Sequence, residues 1–227
     1  MVDRIAEPDP AWTAVDDFIA DHLLGQDQVL AATLAANAAA GLPDIDVSPA
    51  QGRMLHLFAR MVGARRILEI GTLGGYSTIC LARALPVDGR LVTLELEPGH
   101  AEVARANVAR ARLAEQVDIR VGPAIDTLAA MVARGEELFD LIFIDADKPS
   151  NVAYLQASLA LSRPGTTIIV DNVVREGGVL DADSDDPRII GTRALFAAVA
   201  AEPRLTATAV QTVGAKKWDG FLLAVVQ

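Results

Sequence analysis

From Gly63 onward, short apolar runs rich in β-branched residues alternate with longer amphipathic stretches. The short runs are Arg66–Ile70, Leu91–Leu96, Val117–Val121, Leu141–Asp145 and Thr166–Val170, and their length and composition predict buried strands. The stretches 76–85, 98–113, 124–133 and 152–161 between them predict crossover helices. Strands joined in this way form a parallel sheet, so the pattern gives an α/β fold. Before Gly63, helical spacing recurs over Trp12–Leu24, Val29–Ala39 and about 49–62, an N-terminal helical cap over 1–62 ahead of an α/β core over 63–227. Near the other end, 204–213 and 218–226 are strand-like and joined by Gly214-Ala-Lys-Lys, spaced as an antiparallel hairpin. No internal linker or repeat divides the chain, and a single domain over 1–227 is expected.

Composition narrows the function classes. With 227 residues and 52% hydrophobic content, the chain can bury one substantial core. Its longest apolar stretch, 29–41, is alanine-rich, interrupted by Asn37 and short of the roughly 20 residues a bilayer span needs, so no membrane role is expected. The first ten residues are charged and broken by proline where a secretory signal is apolar, which predicts a cytoplasmic protein. A single cysteine, Cys80, lies among apolar neighbours in Ser77-Thr-Ile-Cys-Leu-Ala and predicts a buried packing position. A net charge of −10 repels a phosphate backbone, which argues against a nucleic-acid partner.

Arg66-Ile-Leu-Glu-Ile-Gly-Thr-Leu-Gly-Gly-Tyr-Ser passes from strand through a glycine turn into helix, the usual entrance to a nucleotide-type cofactor site. Counted from Gly71, Leu73 and Tyr76 stand where the dinucleotide pattern has glycine, and the phosphate-loop lysine is missing. A turn that only relieves crowding between strand and helix is the competing reading. Charge favours a cofactor without phosphate, because Glu69 at the strand end repels a pyrophosphate and attracts a cation. S-adenosylmethionine carries an ammonium, a sulfonium and a carboxylate. The carboxylate suits the turn from Gly71 to Gly75, Ser77 and the helix N-terminus. Glu95, 20 positions past Gly75, brings an acceptor for both ribose hydroxyls to the second strand's end, and Gly122-Pro-Ala124 offers a small wall for adenine. Ordinary helix-entry roles compete for Glu97 and Asp126.

Two further strand ends carry oxygen donors: Asp145, and Asp171 with Asn172. Consecutive parallel strands are normally neighbours about 5 Å apart, so the two carboxylates can meet over one sheet edge. Two carboxylates and an amide oxygen, without sulfur or imidazole, suit Mg²⁺ or another divalent cation such as Mn²⁺ or Ca²⁺. Each aspartate alone reads equally as a cap or turn former; the coincidence carries the weight. Lys148, three residues past Asp145, is a general-base candidate over the same edge, against a solvated surface lysine.

Together, Glu69-Ile-Gly-Thr-Leu-Gly-Gly-Tyr-Ser, Glu95, Asp145-Ala-Asp-Lys148 and Val170-Asp-Asn172 resemble the cation-dependent, S-adenosylmethionine-dependent O-methyltransferases of the catechol and caffeoyl-coenzyme A type, from about Leu42 onward. The resemblance implies a Rossmann-like class I methyltransferase fold: a mostly parallel seven-stranded sheet with an antiparallel C-terminal hairpin and a helical cap. It assigns the metal to Asp145, Asp171 and Asn172, and base chemistry to Lys148 beside Asp145. It gives the ribose to Glu95, the methionine end to Glu69 and Ser77, and the adenine surroundings to Ala124, with Asp145 also near cofactor. Val47, ahead of Ser48-Pro-Ala-Gln-Gly52, matches a cofactor-touching position. The implied reaction is metal-dependent methylation of one hydroxyl of a small phenol with two vicinal hydroxyls, by a homodimer joined through the N-terminal helices and C-terminal hairpin.

Ala146-Asp147 stands where the animal catechol enzymes have His-Trp, so the chain is more similar to the plant and bacterial branch. The acidic stretch Arg175–Pro187 departs from aromatic substrate loops; as a lid it would disfavour anionic acceptors and favour neutral or cationic phenols, and a solvated loop is the competing reading. Three other functions compete: methylation of a hydroxylated RNA nucleoside, opposed by the net charge; a non-catalytic cofactor-binding or assembly module, opposed by the full set of metal ligands with Lys148; and a nicotinamide dehydrogenase, opposed by the glycine spacing and Glu69.

Overall fold

The structure, a computed structural model, describes residues 9–227; the first eight residues of the expected cap, with most of the charged segment read for localisation, lie outside them. Asp9 caps α1 (Pro10–Ile19) by accepting from the Ala11 N–H at 2.8 Å, and Pro10 occupies the first turn. The helical stretch expected to run to Leu24 widens at Ala20–Leu24 into a π turn and stops at Gly25. Asp27 caps α2 (Gln28–Ala39), and Ser48 caps α3 (Pro49–Met61).

The core follows as β1 (Arg66–Ile70), α4 (Tyr76–Ala82), β2 (Arg90–Glu95), α5 (Pro98–Arg110), β3 (Val117–Val121), α6 (Ala124–Arg134), β4 (Phe139–Ile144), α7 (Asn151–Ala160), β5 (Ser162–Asp171), α8 (Pro187–Ala201), β6 (Leu205–Gly214) and β7 (Lys217–Val226). Seven strands form one sheet in the order β3-β2-β1-β4-β5-β7-β6. Pairing is parallel as far as β5 and antiparallel on both sides of β7. Alternation along each strand splits the apolar side chains between two layers. Leu68, Ile70, Ile142, Ile144 and Ile168 pack under α6, α7 and α8, while Ile67, Leu91, Leu141 and Phe143 pack under α3, α4 and α5. Cys80 is buried in the second layer, and burial pushes its thiol up to about 12, which fits a packing role. Among the described residues, no helix is long and apolar enough to cross a membrane.

Helix α8 is the element the pattern does not announce. Its buried face is Ile189, Thr192, Leu195 and Val199 with Gly191, so two positions of that face carry no large apolar side chain. Packing explains the glycine: a Cβ at Gly191 would lie 2.3 Å from the Lys148 carbonyl oxygen. The helix therefore buttresses the turn that bears Lys148.

Candidate active site

Strand order reverses between β1 and β4, and at such a switch point the carboxyl ends of the strands frame a crevice. Here a cleft of about 930 Å³ opens, with Gly71, Ser77, Glu95, Ala124, Asp145, Lys148 and Asn172 in its walls. Gly71 has φ +100°, and a Cβ there would sit 2.1 Å from the Asp145 carbonyl oxygen, so β1 can leave the sheet beside β4 only without a side chain. Gly75 opens α4 at φ +87° and packs towards Ala104 of α5, outside the cleft lining. Pro123, Ala124 and Ile125, rather than Gly122, supply the wall after β3.

Glu69 does not reach the cleft. Fully buried, it accepts from Ser77 Oγ at 2.6 Å, from Thr93 Oγ1 at 2.7 Å and from the Thr78 hydroxyl, so it fixes Ser77, which does line the cleft. Burial pushes its carboxyl up to about 7 in spite of these three donors. A folded-state value above the unfolded one means the folded form binds the extra proton, so the contribution of Glu69 to stability is greatest below about 4.5 and is lost as pH rises through about 7. Glu69→Gln is therefore expected to remove up to about 3 kcal/mol of pH-dependent destabilisation between those limits. Urea unfolding of both proteins at pH 5 and pH 8 checks this, and parallel pH dependences would contradict it.

Glu95, 7% exposed, holds the glycine turn by accepting from the N–H groups of Leu73 at 2.7 Å, Glu97 at 3.0 Å and Thr72 at 3.2 Å. A carboxylate has about four lone-pair sites, which leaves acceptor capacity towards the cleft. His100 Nδ1 lies 3.5 Å from Glu95 Oε1 on the same wall.

Ile144 pairs with Val170, so Asp145 and Asp171 follow at one level of adjacent strands. Asp145 and Asn172 face the cleft, and Asp171, 3% exposed, lies behind them and accepts from Gln51 Nε2 at 2.6 Å. Burial, and then the Asp145 charge, push the Asp171 carboxyl up. Among the described residues no three His, Cys, Asp or Glu side chains gather as a metal cluster; the oxygen donors at these two strand ends are Asp145, Asp171 and the Asn172 amide. That all-oxygen set fits a hard divalent ion, whose charge would offset the repulsion between the carboxylates. Asn172 adopts φ +57°, a left-handed conformation that asparagine tolerates better than most residues. Lys148, 6% exposed, donates from Nζ to Asp145 Oδ1 at 3.0 Å.

The segment Pro43–Val47 closes the cleft from the cap, and Val47 is buried against it. Asn37 of α2 donates to both Asp46 oxygens at 3.1 and 3.2 Å, and Asn107 of α5 donates to Asn37 Oδ1 at 3.0 Å and to the Gly74 carbonyl at 2.8 Å. This buried chain ties the segment to the glycine turn. Asn37 and Gln51 were not singled out by sequence; the available signals were a lone amide in an alanine-rich helix and an amide one turn into α3.

A family model described as O-methyltransferase matches residues 21–225. The chain belongs to the O-methyltransferase family. It is 54% identical to a catechol O-methyltransferase of Mycobacterium tuberculosis over 94% of this chain and 95% of that one. It is 51% identical to a catechol O-methyltransferase of Niastella koreensis over 95% and 98% of the two chains. A crystal structure of the O-methyltransferase from Bacillus cereus in complex with SAH superposes with a TM-score of 0.94 at 55% identity, covering 96% of this chain and 99% of that one. The sheet order and antiparallel end are those of class I methyltransferases, and the enzyme is an S-adenosylmethionine-dependent O-methyltransferase.

Proposed function

We propose that this enzyme moves the methyl group of S-adenosylmethionine to one oxygen of a small aromatic acceptor with two neighbouring hydroxyls, in a reaction that needs a divalent cation. The observation that carries the reading is the shared rim of Asp145, Asn172 and Lys148, backed by Asp171, in the same cleft as Ser77 and Glu95. Its relatives named catechol O-methyltransferase support the acceptor class. In this reading Ser77, held by Glu69, and the turn from Gly71 receive the methionine end; Glu95 receives the ribose, Ala124 flanks the adenine, and Val47 closes the site. Asp145, Asp171 and Asn172 hold the cation, Mg²⁺ or a similar ion. When bound, it would lower the cost of ionising a phenol whose unperturbed pKa is about 10. Lys148, acting as the neutral amine, accepts the phenolic proton and becomes the ammonium, and the cleft walls align oxygen and methyl.

The test is transfer of labelled methyl to catechol with Mg²⁺ and again with excess chelator. Transfer is expected to fall to background in chelator and to return with Mg²⁺; transfer indifferent to chelator would remove the cation from the mechanism.

Cap and core act as one domain in this reading, because Gln51 reaches Asp171 and Asn37 reaches Asp46 and Asn107. A homodimer through α1 and the hairpin belongs to the same proposal. Helix α1 has no buried residue, Val15 and Phe18 are exposed on it, and β6 is an edge strand whose Val210 and Val213 are also exposed. Asp16 accepts from the Ala215 N–H at 2.8 Å, which makes one surface of the two elements. Light scattering is expected to give twice 23.9 kDa, and a monomer at micromolar concentration would contradict the dimer.

A further inference from the structure

The stretch 175–187 meets the cleft through arginine, not through its acids. Arg175 and, just past its end, Arg188 line the cleft, whereas Asp181, Asp183 and Asp185 are exposed outside the lining. Of the two readings of this stretch, the exposure of these acids favours the solvated loop over an acidic lid. Most charged groups along this half of the cleft are paired within the protein. Lys148 is bonded to Asp145, the Arg188 guanidinium to Asp186 at 2.6 Å, and Asp147 to the hydroxyls of Ser150 and Tyr154. Arg175 differs, since among the described residues its guanidinium has no hydrogen-bond or ion-pair partner. The nearby acids are already engaged: Asp219 accepts from the backbone N–H groups of Val174, Arg175 and Gly220, each at 3.0 Å, and Asp186 holds Arg188.

The backbone under Arg175 is held in a costly conformation. Arg175 and Glu176 have φ +56° and +55°, and non-glycine residues persist there when their surroundings over-determine them. Asp219, and the Trp218 carbonyl accepting from the Glu176 N–H at 3.1 Å, do so from β7. A guanidinium in the cleft wall whose terminal nitrogens donate to no described residue, on a fixed turn three residues past Asn172, is complementary to a planar anion that can accept two parallel hydrogen bonds.

We infer that Arg175 forms an anion subsite in the acceptor half of the cleft, and that the favoured acceptor is a catechol carrying a carboxylate. This rests on the methyl-transfer reading above.

The experiment compares kcat/KM for 3,4-dihydroxybenzoate and 3,4-dihydroxybenzamide in the native enzyme, Arg175→Met and Arg175→Lys, with thermal melting as the folding check. It adds equilibrium dialysis of the benzoate against each protein loaded with S-adenosylhomocysteine and Mg²⁺. The native carboxylate-to-amide ratio is expected to be roughly tenfold or more, to collapse to about one in Arg175→Met, and to recover in part in Arg175→Lys. A native ratio near one, or a ratio that survives in folded Arg175→Met, overturns the subsite while leaving the transfer reading intact. If neither catechol is methylated but dialysis shows benzoate binding that Arg175→Met abolishes, the subsite stands and the acceptor reading fails. Neither turnover nor binding overturns both.

Discussion

Asp171→Asn is expected to lower kcat/KM at saturating Mg²⁺ by roughly 1000-fold and at the same time to raise the melting temperature of the metal-free enzyme. The two effects have one origin. Asp171 is 3% exposed beside Asp145, and its carboxyl is pushed up by burial and by that neighbouring charge. Its folded-state value lies above the unfolded one, so its contribution to stability is lost as pH rises. The asparagine is neutral and can still accept from Gln51, so without metal the variant escapes an unfavourable buried charge. The same substitution halves the carboxylate charge available to a cation. If the ion contributes several kcal/mol to the transition state, about 4 kcal/mol corresponds to the rate loss stated. Kinetics over a Mg²⁺ series, with calorimetric melting in chelator at pH 8, measure both halves. Unchanged turnover would remove Asp171 from the site, and a lower melting temperature would show that its hydrogen bonds outweigh its charge.

How far the sequence reveals this site depends on whether a residue acts by position or by partnership. The β-branched runs mark five core strands because parallel strands are apolar on both faces, and Asp145 and Asp171 stand out because a charge ends such a run. The sequence sets Glu69 beside the right neighbour, Ser77, but its three hydroxyl donors come from α4 and β2, and only the folded chain shows it buried behind the cleft instead of in its wall. The motif places Gly75 and Gly122 in the cofactor set; in the fold one packs on α5 and the other yields the wall to Pro123 and Ala124. Asn37, Gln51 and Arg175 draw their significance from partners, made or missing, 9 to 120 positions away, a separation that periodicity does not encode. Helix α8 escaped for a related reason: Gly191 yields its side chain to the Lys148 carbonyl, and the apolar period loses a beat. For the acidic stretch, composition leaves lid and solvated loop both open, because it averages over a loop of which the cleft meets only the first residue and the arginine just beyond its end.

Lys148→Met is expected to reduce kcat by about 10² to 10⁴-fold, the usual contribution of a general base, with cation binding retained. The amino group of Lys148 is almost fully enclosed, held 3.0 Å from Asp145 on a turn that α8 supports from behind. Methionine fills a similar volume without a proton acceptor. Loss of rate alone would not identify a base, because removing a buried cation beside Asp145 also alters the field at the reacting oxygen. Acceptor acidity separates the two roles. A base assists in proportion to how firmly the acceptor holds its proton, so an acidic acceptor such as 4-nitrocatechol should lose far less rate than catechol when Lys148 is replaced. A purely electrostatic lysine would be missed about equally by both. Single-turnover rates for the two acceptors, in the native enzyme and in Lys148→Met, are therefore expected to diverge for catechol and to converge for 4-nitrocatechol. Equal losses would reassign Lys148 from proton transfer to charge stabilisation, and Lys148→Arg, which keeps the cation but cannot accept the proton, would then recover most of the rate.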